Sequence, residues 1–133
     1  MACGVRGRGF TLVEIMVVVA IISTVAAIAI PNLLRSKITA NNAAAQTTLR
    51  TISTAAEMYA AANLGTYPTA ELSLTGVTPP YLNRSYCNRA VAGFTYTCTW
   101  NTAGYTIVGT PIVLNSTGSV TYTITTGGVL TPQ

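Results

Sequence analysis

The placement of apolar residues along this chain follows three rules in succession. From Phe10 to Ile30 every residue is apolar or small and uncharged, except Glu14. As a helix these 21 residues would span about 31 Å, close to the hydrocarbon thickness of a bilayer. From Pro31 the pattern becomes one-sided. Leu34, Ile38, Ala45, Leu49, Ile52, Ala56 and Tyr59 recur at steps of three, four or seven and share one helical face, while Arg35, Lys37, Arg50 and Glu57 fall elsewhere. Asn41 is the polar residue within the stripe. Asn63 and Gly65 supply helix stop signals. The pattern therefore predicts one long helix over about 10–64, apolar all round in its first half and amphipathic in its second.

After Gly65 the pattern changes again. Residues 66–90 are rich in Pro, Thr and Asn and read as an irregular connection. Strict alternation follows. Phe94, Tyr96, Cys98 and Trp100 share one face of a strand whose other face is Thr95, Thr97 and Thr99. "NTAG" is a turn, "YTIV" a second strand, "NSTG" another turn, and "SVTYTIT" places Val120, Tyr122 and Ile124 on one face. These segments predict an antiparallel sheet of three or four strands with one buried face, covered by the helix stripe. Pro111 predicts an edge strand or a bulge at its position. The fold class expected is α+β.

Composition narrows the chemistry. The chain is 50% hydrophobic and 8% charged, against about 25% charged in an ordinary soluble protein. From Gly65 to Gln133 the charged side chains are Glu71, Arg84 and Arg89, while 16 of those 69 residues are Thr. With no His and no Asp, no catalytic dyad and no metal-ligand cluster can be drawn, and no cofactor is expected. Without Arg6 and Arg8, five bases and three acids leave +2, too little to argue for nucleic acid. Cys87 and Cys98 lack redox or zinc spacing. In an exported domain they read as a disulfide tying the connection onto the sheet, with two buried free thiols as the alternative.

The stretch "RGRGFTLVE" carries the strongest signal. Arg6 and Arg8 hold the N-terminal end of the apolar run in the cytoplasm. A plain signal anchor would tolerate a snorkelling Glu14. A secretory signal peptide could be cut after "AIA" at Ala27–Ala29, but the apolar run is longer than the usual core and contains a glutamate. The sequence resembles a type IV prepilin, a family that includes the pseudopilins of type II secretion. There a short basic leader ends in Gly, then comes Phe, then an apolar segment with Glu fifth. "GFTLVEIMVVVAIISTVAAIAIPN" follows that pattern through Pro31, although Ser23 stands where many pilins carry glycine.

The resemblance implies a pilin fold and a set of roles. Residues 1–9 are a leader removed between Gly9 and Phe10, residues 10–30 the membrane and filament-core half of the helix, 31–64 its amphipathic half, and 65–133 the head. A prepilin peptidase would cut at Gly9 and methylate the Phe10 amine. Glu14 would pair with the N-terminal amine of a subunit during assembly, and Pro31 would kink the helix. The implied partners are further copies of the chain, an inner-membrane platform protein and a cytoplasmic ATPase. The precursor would sit in the inner membrane and the product in a surface filament, most simply as the major pilin. A type II secretion pseudopilin is the runner-up. "GTYPT" occurs in both groups, but major pseudopilins typically hold calcium through acidic oxygens of the head, where this chain has only Glu71. An exported enzyme would lack His, Asp and any candidate dyad, and a membrane-anchored binding domain without assembly would leave Glu14 unexplained. An electron-conducting filament would need more aromatics along the helix than Phe10 and Tyr59.

Overall fold

The computed structural model describes residues 9–133. Residues 1–8 of the expected leader, with Cys3, Arg6 and Arg8, lie outside the described residues. Helix α1 runs without interruption over Leu12–Ala62, close to the expected bounds, with Pro31 inside it. The chain divides into two compact units, Met1–Arg35 and Ser36–Gln133.

In the first unit, each large apolar side chain from Phe10 to Leu34 is at least half exposed. The helix is long and apolar enough there to cross a membrane, which suits a place in lipid or among other apolar helices. Ser23 and Thr24 donate their hydroxyls to the carbonyls of Val19 and Ala20 at 2.8 and 2.9 Å. These bonds satisfy both polar groups within the helix itself, as an apolar environment requires.

In the second unit, the far part of α1 packs against a five-stranded antiparallel sheet: β1 (Ala90–Val91), β2 (Phe94–Asn101), β3 (Gly104–Pro111), β4 (Tyr122–Thr125) and β5 (Val129–Pro132), in that spatial order. The expected stripe residues Ala45, Leu49, Ile52 and Ala56 are fully buried, joined by Ala55 and Ala60. Small residues on this face let the sheet approach the helix closely. From the sheet come Phe94, Tyr96, Tyr105, Ile107, Tyr122 and Ile124. The alternation in β2 holds: Phe94 and Tyr96 are buried, and Thr97 and Thr99 are exposed. α1 ends as the stop signals predict. Gly65 takes a left-handed φ of +83°, and its amide donates to the Ala60 carbonyl at 2.8 Å.

Three details differ from the expectation. The sheet has five strands because two short segments add to its edges: Ala90–Val91, and a C-terminal strand in which Leu130 pairs with Ile124. A helical turn, α2 (Leu72–Thr75), interrupts the connection, with Leu74 buried beneath it. Pro111 lies on neither an edge strand nor a bulge. It is the last residue of the central strand β3, paired with Phe94 of β2. β4 has already left β3 at that point, its last partner pair being Gly109 and Tyr122, so the missing amide of Pro111 interrupts no ladder.

Candidate functional site: the helix N-terminus and the carboxylates of the head

Gly9 and Phe10 precede α1 and are exposed, Phe10 to 83%. Thr11 is the residue before the helix, and Glu14 stands in its first turn. The Thr11 amide and hydroxyl both donate to Glu14 Oε2 at 2.8 Å, and the Glu14 amide donates to the Thr11 hydroxyl oxygen at 3.2 Å. This reciprocal arrangement is a capping box, which satisfies helix-end donors that otherwise have no partner. It aligns a negative charge with the positive end of the helix dipole. Glu14 therefore has a structural role within its own chain in addition to any role between chains. Among the described residues its carboxylate bonds both go to Oε2. The sequence carries the signal, since "TLVE" has the S/T-x-x-E pattern that marks a helix start.

The other two side-chain carboxylates, Glu57 and Glu71, belong to the second unit, and both accept hydrogen bonds from within it. Glu57 leaves the far part of α1 half-buried and accepts from three separate segments. Tyr67 Oη of the connection donates to Oε2 at 2.8 Å. Tyr105 Oη of β3 and the Gly127 amide of the β4–β5 turn donate to Oε1 at 2.9 and 2.8 Å. The Tyr105 hydroxyl also lies 2.7 Å from Ser53 Oγ, a buried polar group. Partial burial works against the charged carboxylate. The bonds from Tyr67, Gly127 and Tyr105 outweigh it, and Glu57 titrates below the usual carboxylate range. Burial and the neighbouring carboxylate together raise Tyr105 to about 12 despite its bond to Ser53, and the bond to Glu57 raises Tyr67.

Glu71 performs the same work at the connection. It accepts the Ser85 hydroxyl, and its Oε1 accepts the amides of Tyr86 at 2.5 Å and Cys87 at 3.0 Å. Cys87 is bonded to Cys98 of β2, with the Cα atoms 5.6 Å apart, and Cys87 also forms a single bridge to Tyr96. The disulfide and Glu71 thus hold the same segment to the sheet. Asn41, the polar residue in the helix stripe, donates to the Thr117 carbonyl at 2.7 Å. Asn42 exchanges bonds with Ser119 through its side-chain amide and carbonyl. Among the described residues, no group of three or more His, Cys, Asp or Glu could hold a metal ion.

The depressed pKa of Glu57 has a definite sign. Its contribution to stability is complete above the ordinary carboxylate pKa of 4.5 and is lost as pH falls through the lower, folded value. Glu57→Gln is expected to cost about 1.5–3 kcal/mol at pH 7, the range for a hydrogen bond to a charged group. It should also remove part of the wild-type loss of stability below pH 4.5. Thermal unfolding of the full chain in detergent between pH 3 and 7 checks this; parallel pH curves for the two proteins would contradict it.

Comparison with known proteins places these features among relatives. A family model described as the prokaryotic N-terminal methylation motif matches residues 6–30. The chain is similar to the type IV major pilin protein PilA of Myxococcus xanthus, 46% identical over 54 residues, which are 41% of this chain and 24% of that protein. It is similar to the type II secretion system core protein G of Pectobacterium carotovorum, 36% identical over 92 residues, 68% of this chain and 58% of the relative. The core protein G of Klebsiella pneumoniae is 41% identical over 69 residues, 52% and 49% of the two chains. The chain thus spans between 24% and 58% of the length of these curated relatives. No solved structure matches at a significant level.

Proposed function

We propose that this chain, which belongs to the prepilin family by its N-terminal methylation motif, is the major subunit of a type IV pilus. The chain is a structural, non-enzymatic protein of that pilin and pseudopilin family, whose members are processed by a prepilin peptidase. In our reading the leader is cut between Gly9 and Phe10, and the new amine of Phe10 is methylated. Residues 10–30 anchor the precursor in the inner membrane. The subunit then leaves the bilayer and packs those residues against the same segment of other copies. A cytoplasmic ATPase and an inner-membrane platform protein supply the work, because lipid already solvates the apolar segment and burial alone gives little net drive. Pro31 removes a helical hydrogen bond to the Ala27 carbonyl and is the place where α1 would bend during that transfer.

The observation that carries the reading is the exposed helix of the first unit: an apolar segment about one bilayer long, opened by Phe10 and bearing Glu14 on its first turn. Nothing about a self-contained soluble domain accounts for it.

A secretion pseudopilin is the second reading, favoured by the longer matches to core protein G. The carboxylates of the second unit favour the pilus. Glu57 and Glu71 are both consumed as acceptors of internal hydrogen bonds. Calcium would need acidic oxygens that face a common cavity. Deleting the gene separates the two readings: loss of surface filaments with normal protein secretion is expected, and the reverse would assign the chain to secretion. Mass spectrometry of the mature chain should begin at methylated Phe10. A mature chain beginning at Ile30 would instead indicate a cleaved signal peptide.

A further inference from the structure

Cys87 is held in place by contacts that involve no sulfur. Glu71, the residue before α2, accepts the Ser85 hydroxyl, and its Oε1 takes the consecutive amides of Tyr86 and Cys87 at 2.5 and 3.0 Å. The next amide, that of Asn88, donates to the Tyr96 carbonyl of β2 at 2.7 Å. Three successive amides are thus fixed, two by a carboxylate of the connection and one by the sheet. The Arg89 amide then closes a turn on the Tyr86 carbonyl at 3.2 Å.

Glu71 is itself placed without help from Cys87. Leu74 of α2 is fully buried, and its carbonyl accepts the amides of Tyr81 and Leu82 at 2.9 and 3.1 Å. Leu82 is buried as well. On the other side of the contact, Tyr86 packs against the core, with the Arg84 guanidinium 4.7 Å from the centre of its ring. Together these contacts bring the Cα atoms of Cys87 and Cys98 to 5.6 Å, a separation that a disulfide requires. The strand that follows, β1, has two residues and is too short to fix the segment by itself.

We infer that Glu71 is a positioning residue for the disulfide. Its carboxylate holds Cys87 against β2 while both thiols are still reduced, which raises the effective concentration of one thiol at the other. Closing a free loop costs chain entropy, and the hydrogen bonds to Glu71 have already met that cost. A small disulfide such as oxidised glutathione serves as the oxidant. One cysteine thiolate attacks it and releases a glutathione thiol. The other cysteine thiolate attacks the mixed disulfide and releases the second. Two protons and two electrons leave the cysteine pair, and the oxidant is reduced to two thiols. Cys87 and Cys98 are both partly exposed, so a small disulfide can reach them. The coupling is reciprocal: the disulfide strengthens the Glu71 bonds by as much as those bonds favour the disulfide. The inference holds for a pilus subunit and a secretion subunit alike.

The test uses the full chain in detergent with Cys3→Ser, so that Cys87 and Cys98 are its cysteines. The chain is equilibrated in glutathione buffers, and alkylation with mass spectrometry reads the ratio of oxidised to reduced protein. Glu71→Ala is expected to lower that ratio about tenfold, as the loss of hydrogen bonds to a charged group implies. Glu71→Gln is expected to recover most of it, because the Tyr86 and Cys87 amides share one oxygen and glutamine retains an oxygen there. Glu57→Gln weakens the head at a separate network and should leave the ratio within about twofold of wild type, as independent sites do. An unchanged ratio in Glu71→Ala would overturn the inference. So would an equal fall in Glu57→Gln, which would mark a general loss of stability. If Glu71→Ala does not fold, Ser85→Ala removes one of the three bonds and is expected to shift the ratio less, in the same direction; no shift there would overturn the inference too.

Discussion

Cells carrying Glu14→Leu are expected to insert and process the chain and to display at least tenfold fewer filaments. The expectation comes from the electrostatics of an apolar helix bundle. Two unit charges 4 Å apart attract by about 4 kcal/mol at an effective dielectric of 20. An unpaired charge in the same place is strongly penalised. Oε2 of Glu14 is held by Thr11, so the carboxylate is already oriented, and a cationic Phe10 amine from a neighbour could take the remaining oxygen. Such a pairing would set a subunit at one axial position and disfavour others. Glu14→Gln separates the two roles of the side chain. Glutamine also serves at the third position of a capping box, so the helix end is preserved while the charge is lost. Electron microscopy of the cell surface, with mass spectrometry to confirm processing, reads the result. Normal filaments in Glu14→Gln cells would show that capping, not charge, is what assembly requires.

The second large effect concerns the head. Phe94→Ala is expected to destabilise it by about 3–5 kcal/mol, the usual range for truncating a fully buried aromatic. Phe94 is 0% exposed and opens β2 opposite Pro111. Its ring lies 6.2 Å from that of Tyr122. It also rests against Gly118, where an added Cβ would come within 2.6 Å of its Cε2 atom. Removing the ring leaves a cavity beneath the loop that carries Ile112–Leu114, with no side chain at Gly118 to refill it. A domain is typically stable by only 5–15 kcal/mol, so the loss is a large share of the total. Denaturant unfolding of the full chain in detergent measures it. A change below 1 kcal/mol would mean that the loop collapses onto the β2 backbone and that Phe94 is not a core anchor.

How much of the fold is legible in the residues alone follows from the range of the interactions involved. Periodicity and hydropathy are local, so α1, the alternation of β2 and the burial of Ala45, Leu49, Ile52 and Ala56 were determined by the residues themselves. So was the capping pattern at Thr11–Glu14, whose partners are three residues apart. The strands at the sheet edges were not, because Ala90–Val91 and Val129–Pro132 are short and become strands only through the neighbours that pair with them. Pro111 was misplaced for a related reason: whether a missing amide matters depends on where the adjacent strand ends.

The carboxylates mark the boundary most clearly. In the sequence Glu57 and Glu71 are isolated charges among neutral residues, with nothing nearby to pair with. In the fold, Glu57 gathers Tyr67, Tyr105 and Gly127, which lie 10, 48 and 70 residues away. Asn41 finds Thr117 76 residues on. Hydrogen bonds act over about 3 Å, and no local pattern announces a partner that chain topology brings from so far. The sequence by itself determined the helix, the motif at its start and the hydroxyl-rich sheet. Only the tertiary structure decided which polar groups lock that sheet to the helix, because those contacts exist only once distant segments have been folded together.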